Sequence, residues 1–168
     1  MQEIKIGLIG FGTVGSGLAQ VLYEQQTRLQ KRVGASIRLI KVADIMVKSL
    51  PDHIAQGGKV LLTKDANDIF TDPEIAIVVE LIGGIEPAKS FLLEAIERKK
   101  HVITANKALL ASHGTELFRA AEEGGVQIGF EASCDGGSVV RPLRTRAQSP
   151  AARTVAATAS GSDSWRFP

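Results

Sequence analysis

Three glycines, Gly10, Gly12 and Gly15, carry the first chemically meaningful spacing in this chain. They follow a β-favouring run, Ile4 to Ile9, and lead straight into an amphipathic segment that begins at Thr13, so the pattern reads strand, tight turn, helix. Each glycine of Gly-x-Gly-x-x-Gly then has a task. Gly10 makes the turn, Gly12 lets the backbone approach a pyrophosphate, and Gly15 lets the helix pack close to the strand. The amides of Gly10, Phe11, Gly12, Thr13, Val14 and Gly15, with the positive end of the helix dipole, face the phosphates of a dinucleotide. The alternative is a purely structural strand-to-helix turn.

Asp44 ends the second apolar run, where dinucleotide-binding folds place an acid that accepts hydrogen bonds from the adenosine ribose. It lies 29 residues after Gly15, more than the usual spacing of about 20, and a long first helix accounts for the excess. Alternatively it opens a solvated turn. Lys107, after Thr104, Ala105 and Asn106, can hold a carboxylate, bind a cofactor phosphate, or move a proton if its pKa is lowered. The competing reading is a solvated lysine at the start of a helix. Thr104 and Asn106 suit a helix start, Asn106 as a cap rather than a catalyst. Glu131 ends an apolar strand, where an unpaired carboxylate is expensive; loop amides of residues 133–137, a lysine or a cation can answer it. Cys134 reads as a small packed side chain, and His53, His101 and His113 lack the paired spacing of metal ligands.

The elements that must position these residues alternate. Ile4–Ile9 is a strand and Thr13 to about Arg32 one helix, stopped by Gly34; residues 37–44 form the second strand. Residues 48–58 are turn-rich with little regular structure expected, 60–63 form a short strand, and 65–70 a short helix. A nearly continuous apolar strand, Ile75–Ile82, ends in Gly83-Gly84. A helix opening at Glu86-Pro87 closes on Lys99-Lys100, whose charges suit the negative end of its dipole. Strand 101–104, a helix running to Gly124-Gly125, and strand 126–131 complete the series. Strands alternating with helices predict an α/β fold, Rossmann-like and doubly wound, with a mostly parallel sheet. The carboxyl ends of its strands form the ligand crevice.

Length and composition fit one such domain: 168 residues, 44% hydrophobic and 23% charged, which excludes disorder throughout. A net charge of +2 is too small to argue for nucleic acid or an anionic membrane. With Cys134 as the single cysteine no internal disulfide forms. No basic leader precedes the first strand and no apolar run reaches bilayer length, so a cytoplasmic protein is expected.

Four stretches, Gly10-Phe11-Gly12-Thr13-Val14-Gly15, Val78-Val79-Glu80-Leu81-Ile82-Gly83-Gly84, Thr104-Ala105-Asn106-Lys107-Ala108-Leu109-Leu110 and Phe130-Glu131-Ala132-Ser133, resemble in order and spacing the cofactor-binding domain of homoserine dehydrogenase, over about residues 2–137. The resemblance implies reversible NAD(P)-dependent interconversion of L-homoserine and L-aspartate 4-semialdehyde, on the route to threonine, methionine and isoleucine. It implies that the glycine turn binds the pyrophosphate and that Ile82, Gly83 and Gly84 pass near the nicotinamide. Thr104 and Lys107 then fall at the cofactor and substrate end of the site. It also implies a monovalent cation such as sodium, held mostly through backbone carbonyls, which by position suggests Glu131, Cys134, Gly136 and Ser138. The choice of NAD or NADP stays open: Asp44 repels a 2′-phosphate, while Lys48 can accept one.

After Ser133 the chain departs from the family pattern, and beyond Arg144 the resemblance ends. Residues 138–168 hold five of the ten arginines, three of the six prolines, no lysine and no isoleucine. Their charge of +4 leaves −2 for residues 1–137. Residues 1–137 are therefore expected to form the NAD(P)-binding domain, and 138–168 a poorly ordered tail in a truncated or frame-shifted member of the family. A basic tail that binds an acidic partner is the rival reading. The family is oligomeric through a later domain, which also supplies its main acid–base lysine and the acids that hold the amino group of homoserine. Another nicotinamide-dependent dehydrogenase and a non-catalytic dinucleotide-binding module are the alternative functions.

Overall fold

The structure, a computed structural model, describes residues 2–130. In chain order these form β1 (Glu3–Ile9), α1 (Thr13–Glu24), α2 (Gln26–Val33), β2 (Ser36–Ala43), α3 (Asp52–Ala55) with a 3-10 turn (Gln56–Gly58), β3 (Leu61–Thr63), α4 (Asn67–Phe70), β4 (Ile75–Glu80), α5 (Ala88–Glu97), β5 (His101–Thr104), α6 (Lys107–Gly124) and β6 (Ile128–Phe130). The six strands make one sheet in the order β3-β2-β1-β4-β5-β6, parallel throughout. This is the doubly wound arrangement, with its reversal of strand order between β1 and β4.

Alternation along the strands divides the apolar residues between two faces. Ile6, Leu8, Ile77, Val79 and Ile103 pack with Leu18 and Leu22 of α1 and Leu29 of α2. Ile9, Val78 and Val102 pack with Ile69 of α4, Leu92 and Ile96 of α5, and Leu109 and Leu117 of α6. Leu92, Leu109 and Leu117 are fully buried, and truncating any one of them to Ala costs about 2–5 kcal/mol. Covered on both sides, β4 needs its near-continuous apolar run.

The single first helix expected from periodicity is two. Gln25 leaves helical geometry (φ −105°, ψ 21°) and separates α1 from α2. The apolar stripe crosses the break in phase, so spacing does not reveal it. Residues 48–58, expected to hold little regular structure, contain α3 and the 3-10 turn, whose Ile54 is buried in the first core. Lys100 does not serve as a solvated charge at the end of α5. It is buried, and its ammonium donates to the carbonyls of Asp72 (2.6 Å) and Ile75 (2.8 Å) at the start of β4.

The registers put Thr63, Ala43, Ile9, Glu80, Thr104 and Phe130 in one row across all six strands. The described residues that follow β1 to β5 at that row therefore meet at one edge of the sheet. Among the described residues no helix is long and apolar enough to cross a membrane.

Candidate dinucleotide-binding site

The glycine turn sits at the reversal of strand order. Gly10 takes φ +96° and donates its amide to Ala43 O at 2.9 Å. Gly15 lies where a Cβ would come 2.0 Å from Gly10 O, so α1 can approach β1 only without a side chain there. Gly12 differs. It is extended at the start of α1, no side chain caps the helix, and a Cβ on Gly12 would meet nothing within 4 Å. The protein's own packing leaves that space open beside the uncapped first turn of a twelve-residue helix, the combination that suits a pyrophosphate. Thr13 and Val14 are exposed beside it, while the ring of Phe11 is buried in the core. The amides of Gly10 and Phe11, expected to face the phosphates, are instead spent on Ala43 O and Asp44 Oδ2, because β2 ends beside the turn.

Asp44 reaches back to this turn. Its Oδ2 accepts from the Phe11 amide at 2.7 Å, and its Oδ1 from the amides of Met46 (2.8 Å) and Val47 (3.0 Å). Burial alone would raise its pKa, but the three amides outweigh burial and hold the carboxyl below its ordinary value. The expected turn-opening role is thus present, together with a contact to the glycine turn that spacing does not show. Ile45 and Met46 project beside it, 74% and 81% exposed.

Across the switch point, Glu80 ends β4 fully buried. Its Oε1 accepts from the amides of Ile82 (2.8 Å) and Gly83 (3.3 Å), and its Oε2 from the hydroxyl of Thr104 (2.6 Å). Thr104, also buried, accepts in turn from the Asn106 amide at 3.0 Å. Asn106 caps α6, its Oδ1 accepting from Leu109 N at 3.1 Å, while its Nδ2 donates to Gly84 O. Lys107 is exposed as the first residue of α6. Sequence reasoning passed over Glu80, although the signal was the one applied to Glu131: a carboxylate closing an apolar strand must have partners.

The histidines lie elsewhere. His101 starts β5 at the opposite edge and accepts from Gln127 N, His53 stacks against Tyr23, and His113 lies 3.5 Å from Glu116. The described residues contain no cluster of three or more His, Cys, Asp or Glu side chains that could hold a metal ion. Glu131, Cys134, Gly136 and Ser138, expected around a monovalent cation, lie outside the described residues, as does the tail 138–168.

The family model described as the NAD-binding domain of homoserine dehydrogenase matches residues 10–131, from the glycine turn past β6. The chain belongs to the homoserine dehydrogenase family. It is 45% identical over 144 residues to the homoserine dehydrogenase of Synechocystis sp., an alignment covering 84% of this chain and 32% of that protein. The crystal structure of the S. aureus homoserine dehydrogenase superposes with a TM-score of 0.71 at 42% identity, over 79% of this chain and 33% of that one. A hyperthermophilic archaeal homoserine dehydrogenase, solved in complex with NADPH, shares the fold (TM-score 0.61, 23% identity, 79% of this chain and 44% of that one). The chain thus spans about a third of the length of the curated relatives it matches, and the part it matches is the cofactor-binding part.

Proposed function

We propose that this chain binds NAD or NADP along the carboxyl edge of its sheet as the cofactor-holding part of a homoserine dehydrogenase. It would serve the interconversion of L-homoserine and L-aspartate 4-semialdehyde in the cytoplasmic synthesis of threonine, methionine and isoleucine. The observation that carries the reading is the open space at Gly12 beside the uncapped start of α1. The bound nicotinamide supplies hydride transfer. The chain's own part is to hold and orient. The glycine turn takes the pyrophosphate, Asp44 lies on the adenosine side, and the loop of Ile82, Gly83 and Gly84 lies on the nicotinamide side. Lys107 is the candidate for the substrate end.

Calorimetric titration of the chain with NADH and NADPH, with homoserine-dependent NAD(P)+ reduction assayed on the same sample, tests the proposal. Binding of at least one dinucleotide is expected, the two affinities decide between NAD and NADP, and an Asp44→Ala variant that keeps the preference would remove Asp44 as its determinant. Turnover should be low or nil, because hydride transfer needs substrate held in near-attack geometry and the chain matches only about a third of the curated relatives' length. Failure to bind either dinucleotide would overturn the reading. Reduction at a substantial rate would place catalytic groups within these 168 residues.

A further inference from the structure

Glu80 is a carboxylate buried at the centre of the sheet's carboxyl edge, in register with Ile9 on one side and Thr104 on the other. Burying a carboxylate is costly before its partners are counted, and an apolar residue would serve the core at lower cost. Its partners here do not belong to the core. Two are amides of the loop that leaves β4, and the third is the hydroxyl that in turn receives the Asn106 amide at the start of α6. Asn106 closes the circuit through Gly84 O. Gly83 and Gly84 take φ +73° and +75°, and because glycine has the widest choice of backbone conformations this loop needs anchoring to hold one of them. One carboxylate thereby ties together two loops that approach from separate strands.

From this geometry we infer that Glu80 is a positioning residue of the dinucleotide site. Its carboxylate joins residues 81–84 and 104–107 into one rigid lip under the nicotinamide half of the cofactor. The inference rests on the proposed dinucleotide binding and adds to it the group that fixes the half of the crevice remote from Asp44. Because the lip lies beyond the glycine turn, loosening it should affect the nicotinamide half and spare the adenosine and pyrophosphate half.

The test is calorimetry on the full chain with NADH and with ADP-ribose, which lacks the nicotinamide, or with NADPH and 2′-phospho-ADP-ribose if the chain prefers NADP. Wild type should bind the whole dinucleotide more tightly than the truncated ligand. In Glu80→Gln the new amide faces the Thr104 hydroxyl and reverses one hydrogen bond of the circuit, so affinity for the whole dinucleotide should fall about tenfold while that for the truncated ligand stays within about twofold. Thr104→Val, which removes the hydroxyl, should show the same split, and Thr104→Ser, which keeps it, should restore binding of the whole dinucleotide. If Glu80→Gln does not fold, the Thr104 pair decides. Variants that bind both ligands as wild type does, or that lose both equally while folded, would overturn the inference and leave dinucleotide binding intact; so would a wild type that binds both ligands equally. A wild type that binds neither would remove the dinucleotide reading and this inference with it.

Discussion

A methyl group added at Gly12 meets nothing within 4 Å, whereas at Gly15 it lands 2.0 Å from a backbone carbonyl oxygen. The two glycines are therefore separable by experiment. Gly12→Ala should unfold in urea within about 0.5 kcal/mol of wild type yet lose dinucleotide affinity by about tenfold or more, since the methyl occupies the space proposed for the pyrophosphate. Gly15→Ala should lose about 3 kcal/mol or fail to fold, because the helix must move away from the strand. Gly12→Ala with unchanged affinity would take the pyrophosphate out of this crevice. Asp44 makes a different prediction. Its depressed pKa, set by three amides against the opposing effect of burial, means that the folded state holds the carboxylate more firmly than the unfolded state does. The stabilisation is complete above the unfolded value of about 3.9 and is lost as pH falls below it through the folded pKa. Asp44→Asn, which sets an amide against the Phe11 N–H, should cost about 1–3 kcal/mol at pH 7. Denaturation curves of the two proteins should converge in acid.

Between elements, hydrogen bonds rather than apolar contact set the geometry of the crevice. Asn106 caps α6 and also donates to Gly84 O, so Asn106→Ala should cost about 1 kcal/mol for the cap, and Asn106→Asp should recover most of that stability in thermal melts. At the opposite edge, His101 Nδ1 accepts from Gln127 N at 3.1 Å and joins β5 to the segment before β6. Burial lowers the pKa of this histidine, and the bond requires neutral Nδ1. The bond therefore stabilises the fold fully above the unfolded value of about 6.5, and that contribution is lost as pH falls from there through the folded pKa. NMR titration should find the His101 ring protonating below about 6.5; a midpoint above that value would contradict the assignment of Nδ1 as acceptor.

For the molecule as a whole, a ligand that binds the folded chain and not the unfolded one must stabilise it. Dinucleotide at 100 times its dissociation constant should add about 2.7 kcal/mol, read as a rise in melting temperature that disappears when the ligand is dialysed away. At the same ligand concentration the rise should fall to about half or less in Gly12→Ala, whose fold is expected to be unchanged. Parallel strands matched in register bring the turn after β1, the loop after β4 and the start of α6 to one edge, so a dinucleotide bound as proposed would couple to the fold through three separate parts of the chain.

The order of the strands, the glycine turn and the Asn106 cap were legible in the chain, because each rests on neighbours within a few residues: apolar alternation, glycine spacing, a side chain that caps its own helix. Six expected strands were found in the expected places, all parallel. What could not be read depends on which distant segments become neighbours. Glu80 meets Thr104 only because β4 lies beside β5, and Asp44 meets Phe11 only because β2 lies beside β1. Lys100 finds its acceptors 25 and 28 residues away, at the entry to β4. The break at Gln25 leaves the apolar stripe in phase and so leaves no trace in periodicity. Local pattern specifies elements. Pairing of polar groups across strands, which burial makes obligatory, specifies the site.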